Sequence, residues 1–415
     1  MRACRCSAVA EQSADRVAEP TGRRWILGLA PLLLLVGLVF FFRQVDPTGV
    51  LRTAFPPVEE LTIERVSFPA EGSMVVHVVN GGPETVTIAQ VMVDEAYWQH
   101  SIEPDRVVPR LGRVKVTLPY PWVDGEPHEV VLVTSTGLTF AHEVEVATLS
   151  PQKNARFFGV FALLGLYAGV IPVLIGLLWY PYLRRIGPHW INFFLAFTVG
   201  LLIFLAADSL HEAFETAELV PKAFQGVGLI VLGVFGAILA ILGLGHHRQA
   251  VRAAGASSAT GSSAATGLEV AYLVALGIGL HNLGEGLAIG SAYALGEIAL
   301  GSFLVIGFAI HNTTEGLAIV APVARERPAL RHLLFMGLLA GIPTIIGTWI
   351  GGFSYSPIAA TFFLALGAGA MLVVVYEIWK MVGRQREGGM MAQLNAAGLG
   401  LGLLVMYATA LMVVA

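Results

Sequence analysis

The chain has 415 residues, of which 55% are hydrophobic and only 13% are charged, and its mean hydropathy is +0.71. A soluble protein of this length cannot bury so much apolar surface, so we expect an integral membrane protein. The net charge of −4, without a basic cluster that carries interleaved aromatic residues, argues against nucleic acid as a partner.

The N-terminal residues 1–24 predict a polar cytoplasmic tail. Cys4 and Cys6 lie in it, and no other cysteine is present to complete a structural metal cluster. Metal binding or lipid attachment at this pair is the alternative to a solvated tail. The apolar run 25–42 predicts an uncleaved transmembrane anchor, because it is long and is not followed by a small-residue cleavage site.

Residues 43–156 predict a small antiparallel β-sandwich outside the cytoplasm. Apolar residues alternate with polar ones over 114–118 and 140–146, and turn sequences at 80–83 and 124–127 separate such runs. Short alternating strands with these breaks are typical of a sandwich. The sequence does not identify what this domain binds.

Residues 157–415 predict an eight-span helical domain. A bilayer core of about 30 Å needs roughly 20 apolar residues in a helix. Segments that meet this length, besides the anchor, lie near 157–180, 189–209, 224–245, 268–293, 299–322, 331–352, 358–380 and 391–415. The predicted fold class is therefore a membrane all-α bundle of nine spans with a small β-sandwich domain.

The distribution of positive charge predicts the orientation. Arginines and lysines concentrate before the first span and after the second, fourth, sixth and eighth spans, whereas the short loops opposite hold only Lys222. Because short cytoplasmic loops are enriched in these residues, the N-terminus is expected in the cytoplasm and 43–156 outside. We expect a multi-pass protein of a bacterial cytoplasmic membrane, and the sequence leaves its oligomeric state open, a homodimer included.

One nine-residue motif occurs twice. His281-Asn282-Leu-Gly-Glu285-Gly-Leu-Ala-Ile matches His311-Asn312-Thr-Thr-Glu315-Gly-Leu-Ala-Ile at seven of nine positions, thirty residues apart. Each histidine lies near the middle of its span, and a short loop joins the two spans. The motifs are therefore expected to face each other at mid-membrane.

The spacing within the motif predicts a metal site. His at position i and Glu at i+4 share one helix face, so two such faces offer two imidazoles and two carboxylates to one point. This donor set suits Zn²⁺ and tolerates Fe²⁺ or Mn²⁺, whereas Ca²⁺ prefers more oxygen ligands. Cross-bonding of the helices and a metal-free proton relay are the alternatives.

Other polar residues predict a route to and from this site. Asp208, His211 and Glu215 lie near the outer end of the third span and would concentrate cations, unless they simply form a solvated helix end. Glu377, near the cytoplasmic end of the eighth span, is the candidate for the exit. A pair between Glu377 and Lys380 is the alternative there.

These motifs resemble those of the ZIP (zinc/iron-regulated transporter-like) family, particularly its bacterial zinc-uptake members. The resemblance covers residues 157–415. It implies movement of divalent metal toward the cytoplasm and a main metal site formed by His281, Glu285, His311 and Glu315. It also implies that Asn282 and Asn312 occupy positions that contribute to a second, adjacent metal.

The chain departs from the family pattern at several points. Gly284 and Thr314 stand where family members commonly have proline before the motif glutamate, and Ile342 stands where the next span usually supplies a glutamate. We therefore predict one metal site, with the second metal in question. The anchor and β-domain, residues 1–156, are additional to the eight-span unit.

Together these features predict a transporter of zinc, with iron or manganese as alternatives, and neither an enzyme nor a protein with a resident cofactor. An intramembrane zinc-dependent metalloenzyme is one rival hypothesis, although the sequence offers no third histidine near the site. A membrane-anchored metal sensor or scaffold, in which the β-domain is the working part, is the other.

Overall fold

The computed structural model describes residues 21–45, 58–255, 266–354, 356–383 and 389–414. The chain divides into two compact units, Met1–Val58 and Glu59–Ala415. The first unit contains one described helix, α1 (Thr21–Val45), which covers the predicted anchor. The side chains described in this helix include the apolar stretch Leu29–Phe41; those of 25–28 and 42 are not described, so a ninth span stays a prediction. Cys4 and Cys6 lie outside the described residues.

The second unit begins with nine antiparallel strands, as the alternating pattern predicts. One sheet has the order β1-β2-β7-β5, and the other has β4-β3-β8-β9 with β6 paired to β3. Inward residues of both sheets form one hydrophobic cluster that includes Phe68, Met74, Ile88 and Leu132. The strands are β1 (Leu61–Ala70), β2 (Ser73–Asn80), β3 (Val86–Val93), β4 (Ala96–Tyr97), β5 (Ser101–Glu103), β6 (Val107–Val108), β7 (Arg113–Leu118), β8 (His128–Thr134) and β9 (Thr139–Val144).

Among its described residues, the bundle that follows contains eight helices long and apolar enough to cross a membrane, which fits a polytopic helical protein. They coincide with the eight spans predicted over 157–415. They are α2 (Ala155–Leu183), α3 (Pro188–Glu218), α4 (Gly226–Gly255), α5 (Gly267–Ala294), α6 (Ile298–Val320), α7 (Leu330–Ser354), α8 (Pro357–Gly383) and α9 (Gln393–Val414).

Helix α5 lies at the centre of this bundle and α4 at its edge. Over the 18 most apolar consecutive residues of each span, 78% are buried in α5 and 17% in α4. A capping box begins α5: the Thr266 hydroxyl accepts from the Glu269 amide, and the Glu269 carboxylate accepts from the Thr266 amide. Such a reciprocal pair satisfies backbone donors that a helix start leaves free.

The β-sheets rest on loops at one end of the bundle. A Cβ added to Gly81, after β2, would lie 3.0 Å from the Pro221 side chain between α3 and α4. Gly296, between α5 and α6, has a φ of +85°, and a Cβ there would lie 2.4 Å from the Thr148 hydroxyl oxygen. Both its backbone conformation and its contact with the sheet segment therefore require glycine.

Candidate metal centre

The two copies of the repeated motif lie side by side on α5 and α6. His281, Glu285, His311 and Glu315 are all buried, with at most 5% of any of them exposed. Within α5, His281 Nε2 lies 3.3 Å from Glu285 Oε1, one helical turn away. The structure thus brings together the four side chains that the spacing predicts to converge.

Glu315 is the residue whose surroundings demand a partner. It is 0% exposed, and neither of its carboxylate oxygens has a hydrogen-bond partner among the described residues. A ligand oxygen of Glu315 and a ring nitrogen from each of His281 and His311 lie within 4.8 Å of one another. A buried carboxylate without a partner costs several kcal/mol, so this position favours a bound cation or proton.

Glu285 has protein partners, in contrast to Glu315. Its Oε1 forms a short contact with His311 Nε2, and its Oε2 accepts from Asn312 Nδ2 at 2.9 Å. The motif of α6 is thereby bonded to the motif of α5. The two glutamates, equivalent in sequence, are therefore not equivalent in structure.

Asn282 and Asn312 connect the site to two further helices. Asn282 Nδ2 donates to the Ala340 carbonyl oxygen of α7 at 3.1 Å, and Asn312 Nδ2 donates to the Ala168 carbonyl oxygen of α2 at 2.9 Å. Both amide oxygens are buried without a hydrogen-bond partner among the described residues. These oxygens remain available as acceptors or as ligands of a cation.

The Ala168 carbonyl lies in a π-helical segment of α2, Leu166–Val170. A π-helical turn alters the i→i+4 hydrogen-bond pattern of the helix and is frequent at functional sites. No side chain in this segment is polar apart from Tyr167, so the sequence gives no sign of the segment or of its carbonyl acceptor.

Ser209 of α3 is a further contact that the motif does not indicate. Its hydroxyl oxygen lies 2.7 Å from His281 Nδ1, and it is 0% exposed. A hydrogen bond at Nδ1 fixes the orientation of an imidazole and leaves Nε2 for a metal or for another partner. A buried serine beside a cluster of charged residues in an apolar span is the signal that could have indicated it.

Glycines allow close backbone contact around the site. A Cβ on Gly286 would lie 2.2 Å from the Thr344 carbonyl oxygen of α7, and a Cβ on Gly316 would lie 2.2 Å from the Val173 carbonyl oxygen of α2. Small residues permit such approach between membrane helices. The motif glycines thus set the distances between the ligand-bearing helices and their neighbours.

Ile342 does not face the four motif side chains. It is 41% exposed at the bundle surface, whereas the nearby Ala340 carbonyl accepts from Asn282. Position 342, compared above with a glutamate position of the ZIP family, therefore contributes no group to this centre in the structure.

The predicted entrance residues lie on one face of α3. His211 and Glu215 are 3.3 Å apart, with side chains 75% and 68% exposed, and Asp208 is also exposed. Glu212, on the same helix, instead lines a cavity of about 180 Å³ that extends from Glu297 to Gly284, next to Glu285. This volume exceeds the roughly 10–15 Å³ that one water needs.

Glu377 has a partner at the other end of the bundle. Lys380 Nζ donates to Glu377 Oε1 and Oε2 at 3.1 and 3.3 Å and lies over the ring of Tyr376. The pair with Lys380, weighed above as the alternative to an exit role, is thus present in the structure.

Comparison of the sequence with models of protein families found no match, and comparison with curated proteins found none either. The geometry of the site and the pattern of the spans are therefore the basis for assigning a function.

Proposed function

We propose that this protein carries a divalent transition metal, zinc first, across the membrane through the centre formed by His281, His311 and Glu315. The observation that carries the proposal is the buried Glu315 carboxylate, which has no hydrogen-bond partner among the described residues and lies beside two histidine nitrogens. Nitrogen and oxygen donors of this kind bind Zn²⁺ and accept Fe²⁺ or Mn²⁺.

The bond between Glu285 and His311 favours transport of the metal over its permanent binding. In the observed arrangement Glu285 bonds to His311 Nε2, so a metal held by that nitrogen must replace the bond. When the metal leaves, Glu285 returns to His311. A site through which ions pass must bind well enough to load and weakly enough to release, and a carboxylate that competes for a ligand lowers affinity in this way.

The route of entry is proposed from the cavity that Glu212 lines. Its lining runs from Glu297, at the loop end of α5 and α6, to Gly284, the residue before Glu285 in the chain. Carboxylates along a confined path attract cations. With the cytoplasmic N-terminus that the arginine distribution favours, this mouth and the β-sheets lie outside the cell, and transport proceeds inward.

Membership of the ZIP family is part of the proposal and rests on the repeated motif and on eight spans. Helices α2 to α9 supply that unit, and α1 with the β-sheets is additional to it. A bacterial cytoplasmic membrane is the proposed location. The metalloenzyme and sensor hypotheses share the metal site, and movement of metal across a bilayer is the property that separates transport from both.

The decisive experiment is metal flux into liposomes. Purified full-length protein is reconstituted, and ⁶⁵Zn accumulation is followed with Fe²⁺ and Mn²⁺ as competitors. Glu315→Gln and His281→Gln should abolish accumulation, while Glu218→Gln, which neutralises an exposed carboxylate at the end of α3, should leave it unchanged. If zinc binds in stoichiometric amount but never enters the lumen, the protein is not a transporter.

A further inference from the structure

A second cavity lies between the four-stranded sheet and the bundle. Its volume is about 320 Å³, and its walls include Arg65, Ser67, Ser150 and Lys153 on the sheet side and Ser291 and Phe353 on the helix side. Helix α5 ends at Ala294 and α7 ends at Ser354. The cavity therefore lies at the level where these spans leave the apolar part of a membrane.

Two cations of this cavity have no direct ion pair, although the charge of Glu64 acts on Arg65 from a greater distance. Neither Arg65 nor Lys153 forms an ion pair among the residues that the structure describes. The nearest acidic neighbour in sequence, Glu64, pairs instead with Arg113 at 3.1 Å. Two like charges that line one cavity repel each other, and an anion between them relieves the repulsion.

The strand register extends this positive charge across the sheet. Arg65 of β1 is opposite His77 of β2, and His77 is opposite Lys115 of β7; the row ends at Glu103 in β5. Burial, and then the charges of Arg65 and Lys115, lower the pKa of His77 to about 4. Burial is the larger cause, and the smaller contributions of Arg65 and Lys115 show that both positive charges reach this side of the sheet.

The polar groups of the cavity suit phosphate oxygens. Ser150 Oγ accepts from the Phe68 amide at 2.8 Å, so its own hydrogen remains available for donation. Gln152 also lines the cavity; its Nε2 donates one hydrogen to the Pro69 carbonyl oxygen at 3.5 Å and has a second hydrogen to donate. Charge-assisted hydrogen bonds from Arg and Lys to phosphate are stronger than neutral ones.

Apolar side chains surround the same level of the bundle. Phe158 of α2, Leu295 after α5 and Ile298 of α6 are 41%, 41% and 61% exposed. Such residues at the end of a span are in place to contact acyl chains, whereas basic groups just beyond them attract anionic headgroups. A free phosphate ion would use only the polar half of this environment.

We propose that the cavity between the sheet and the ends of α5 and α7 binds the phosphate headgroup of an anionic phospholipid, held by Arg65 and Lys153. The bound lipid would join the β-sheets to the membrane surface. This site is separate from the metal centre and does not depend on metal transport.

Native mass spectrometry of the full-length protein tests this site. The protein is titrated with phosphatidylglycerol, with phosphatidylcholine and with inorganic phosphate. Arg65→Gln/Lys153→Gln should weaken phosphatidylglycerol binding by roughly tenfold or more, since each basic group near a membrane surface contributes measurably. Phosphatidylcholine, which has the phosphate but no net charge, should bind more weakly to the wild type.

Two further double variants make the test specific. Arg106→Gln/Arg110→Gln removes the same charge from exposed positions on either side of β6 that do not line the cavity, and this variant should bind phosphatidylglycerol as the wild type does. Arg65→Lys/Lys153→Arg keeps the charge and should retain the lipid. The proposal is overturned if the Gln double variant binds lipid normally, or if the wild type binds only inorganic phosphate.

Discussion

The contact between Ser209 and His281 allows a quantitative test of the proposed metal centre. Replacing Ser209 by alanine removes a hydroxyl oxygen that lies 2.7 Å from His281 Nδ1 in a fully buried position. A metal on Nε2 requires the imidazole proton on Nδ1, so the metal-bound state loses its only acceptor for that proton among the described contacts. The metal-free state can move the proton to Nε2, which faces Glu285 at 3.3 Å.

The penalty therefore falls mainly on the metal-bound state. A buried donor without a partner costs about 1–3 kcal/mol. Because neighbouring groups shift to relieve part of this cost, we expect the metal-bound variant to be destabilised by about 1–2 kcal/mol. At about 1.4 kcal/mol for each factor of ten, Ser209→Ala should weaken zinc binding roughly tenfold. This agrees with the tenfold to hundredfold loss that removal of such supporting hydrogen bonds usually causes.

Zinc affinity is measured in detergent by competition with a chromophoric chelator, and uptake is measured in liposomes. Thr198→Ala is the matched control, because it removes a buried hydroxyl of the same helix that bonds only to the Phe194 carbonyl of its own helix. The KM for zinc uptake should rise in Ser209→Ala and not in the control. An unchanged zinc affinity in a folded Ser209→Ala protein would refute the role assigned to the serine.

Two further predictions concern packing and pH. Gly316→Ala should lower the free energy of unfolding of the bundle by about 1–3 kcal/mol, because its Cβ would lie 2.2 Å from the Val173 carbonyl oxygen. Its melting temperature in a calorimetric scan should fall below that of the control Gly236→Ala, which has open space around the new Cβ. Equal melting temperatures of the two variants would contradict the packing argument. The depressed pKa of His77, about 4 against the usual 6.5, means that the unfolded chain binds a proton first as the pH falls. Stability of the β-sheets should therefore decrease between pH 6.5 and 4, by about 1–2 kcal/mol after allowance for solvent screening. Hydrogen exchange of β1 and β2, corrected for intrinsic rates, should show this loss in the wild type and not in His77→Gln; an identical pH response in both would exclude His77 as the cause.

The sequence predicts the elements of this fold well, because each carries its own periodicity. Strand β7 follows the alternation of Val114, Val116 and Leu118, and the eight spans follow their apolar runs. The meeting of His281 with His311 is also predictable, since a short loop between two spans forces them to be antiparallel neighbours.

What the sequence does not predict depends on how distant segments pack. The Ala168 carbonyl becomes an acceptor for Asn312 only because α2 has a π-helical turn at that level. The different partners of Glu285 and Glu315 also cannot follow from two motifs that differ at only two of nine positions. The asymmetry arises from the helices that surround each copy, not from the copies themselves.

The exposure of Ile342 shows the limit of position-by-position comparison. Its place before Pro343 suggests an inward residue, yet it lies at the surface of the bundle. Spacing along a chain assigns a face only when the rotation of that helix is known. In α7 that rotation is set by glycine contacts with α2 and α5.

Those glycine contacts have a consequence for how the protein is made. Helix α2 presents Gly165 to the Ile345 backbone of α7, and Gly176 to Gly316 of α6. Well over a hundred residues must be synthesised after α2 before either partner exists. Because a ribosome delivers the chain from its N-terminus, α2 enters the membrane early with its glycine-rich surface uncovered. The last steps of assembly therefore include closure of the first long helix of the bundle against partners made much later.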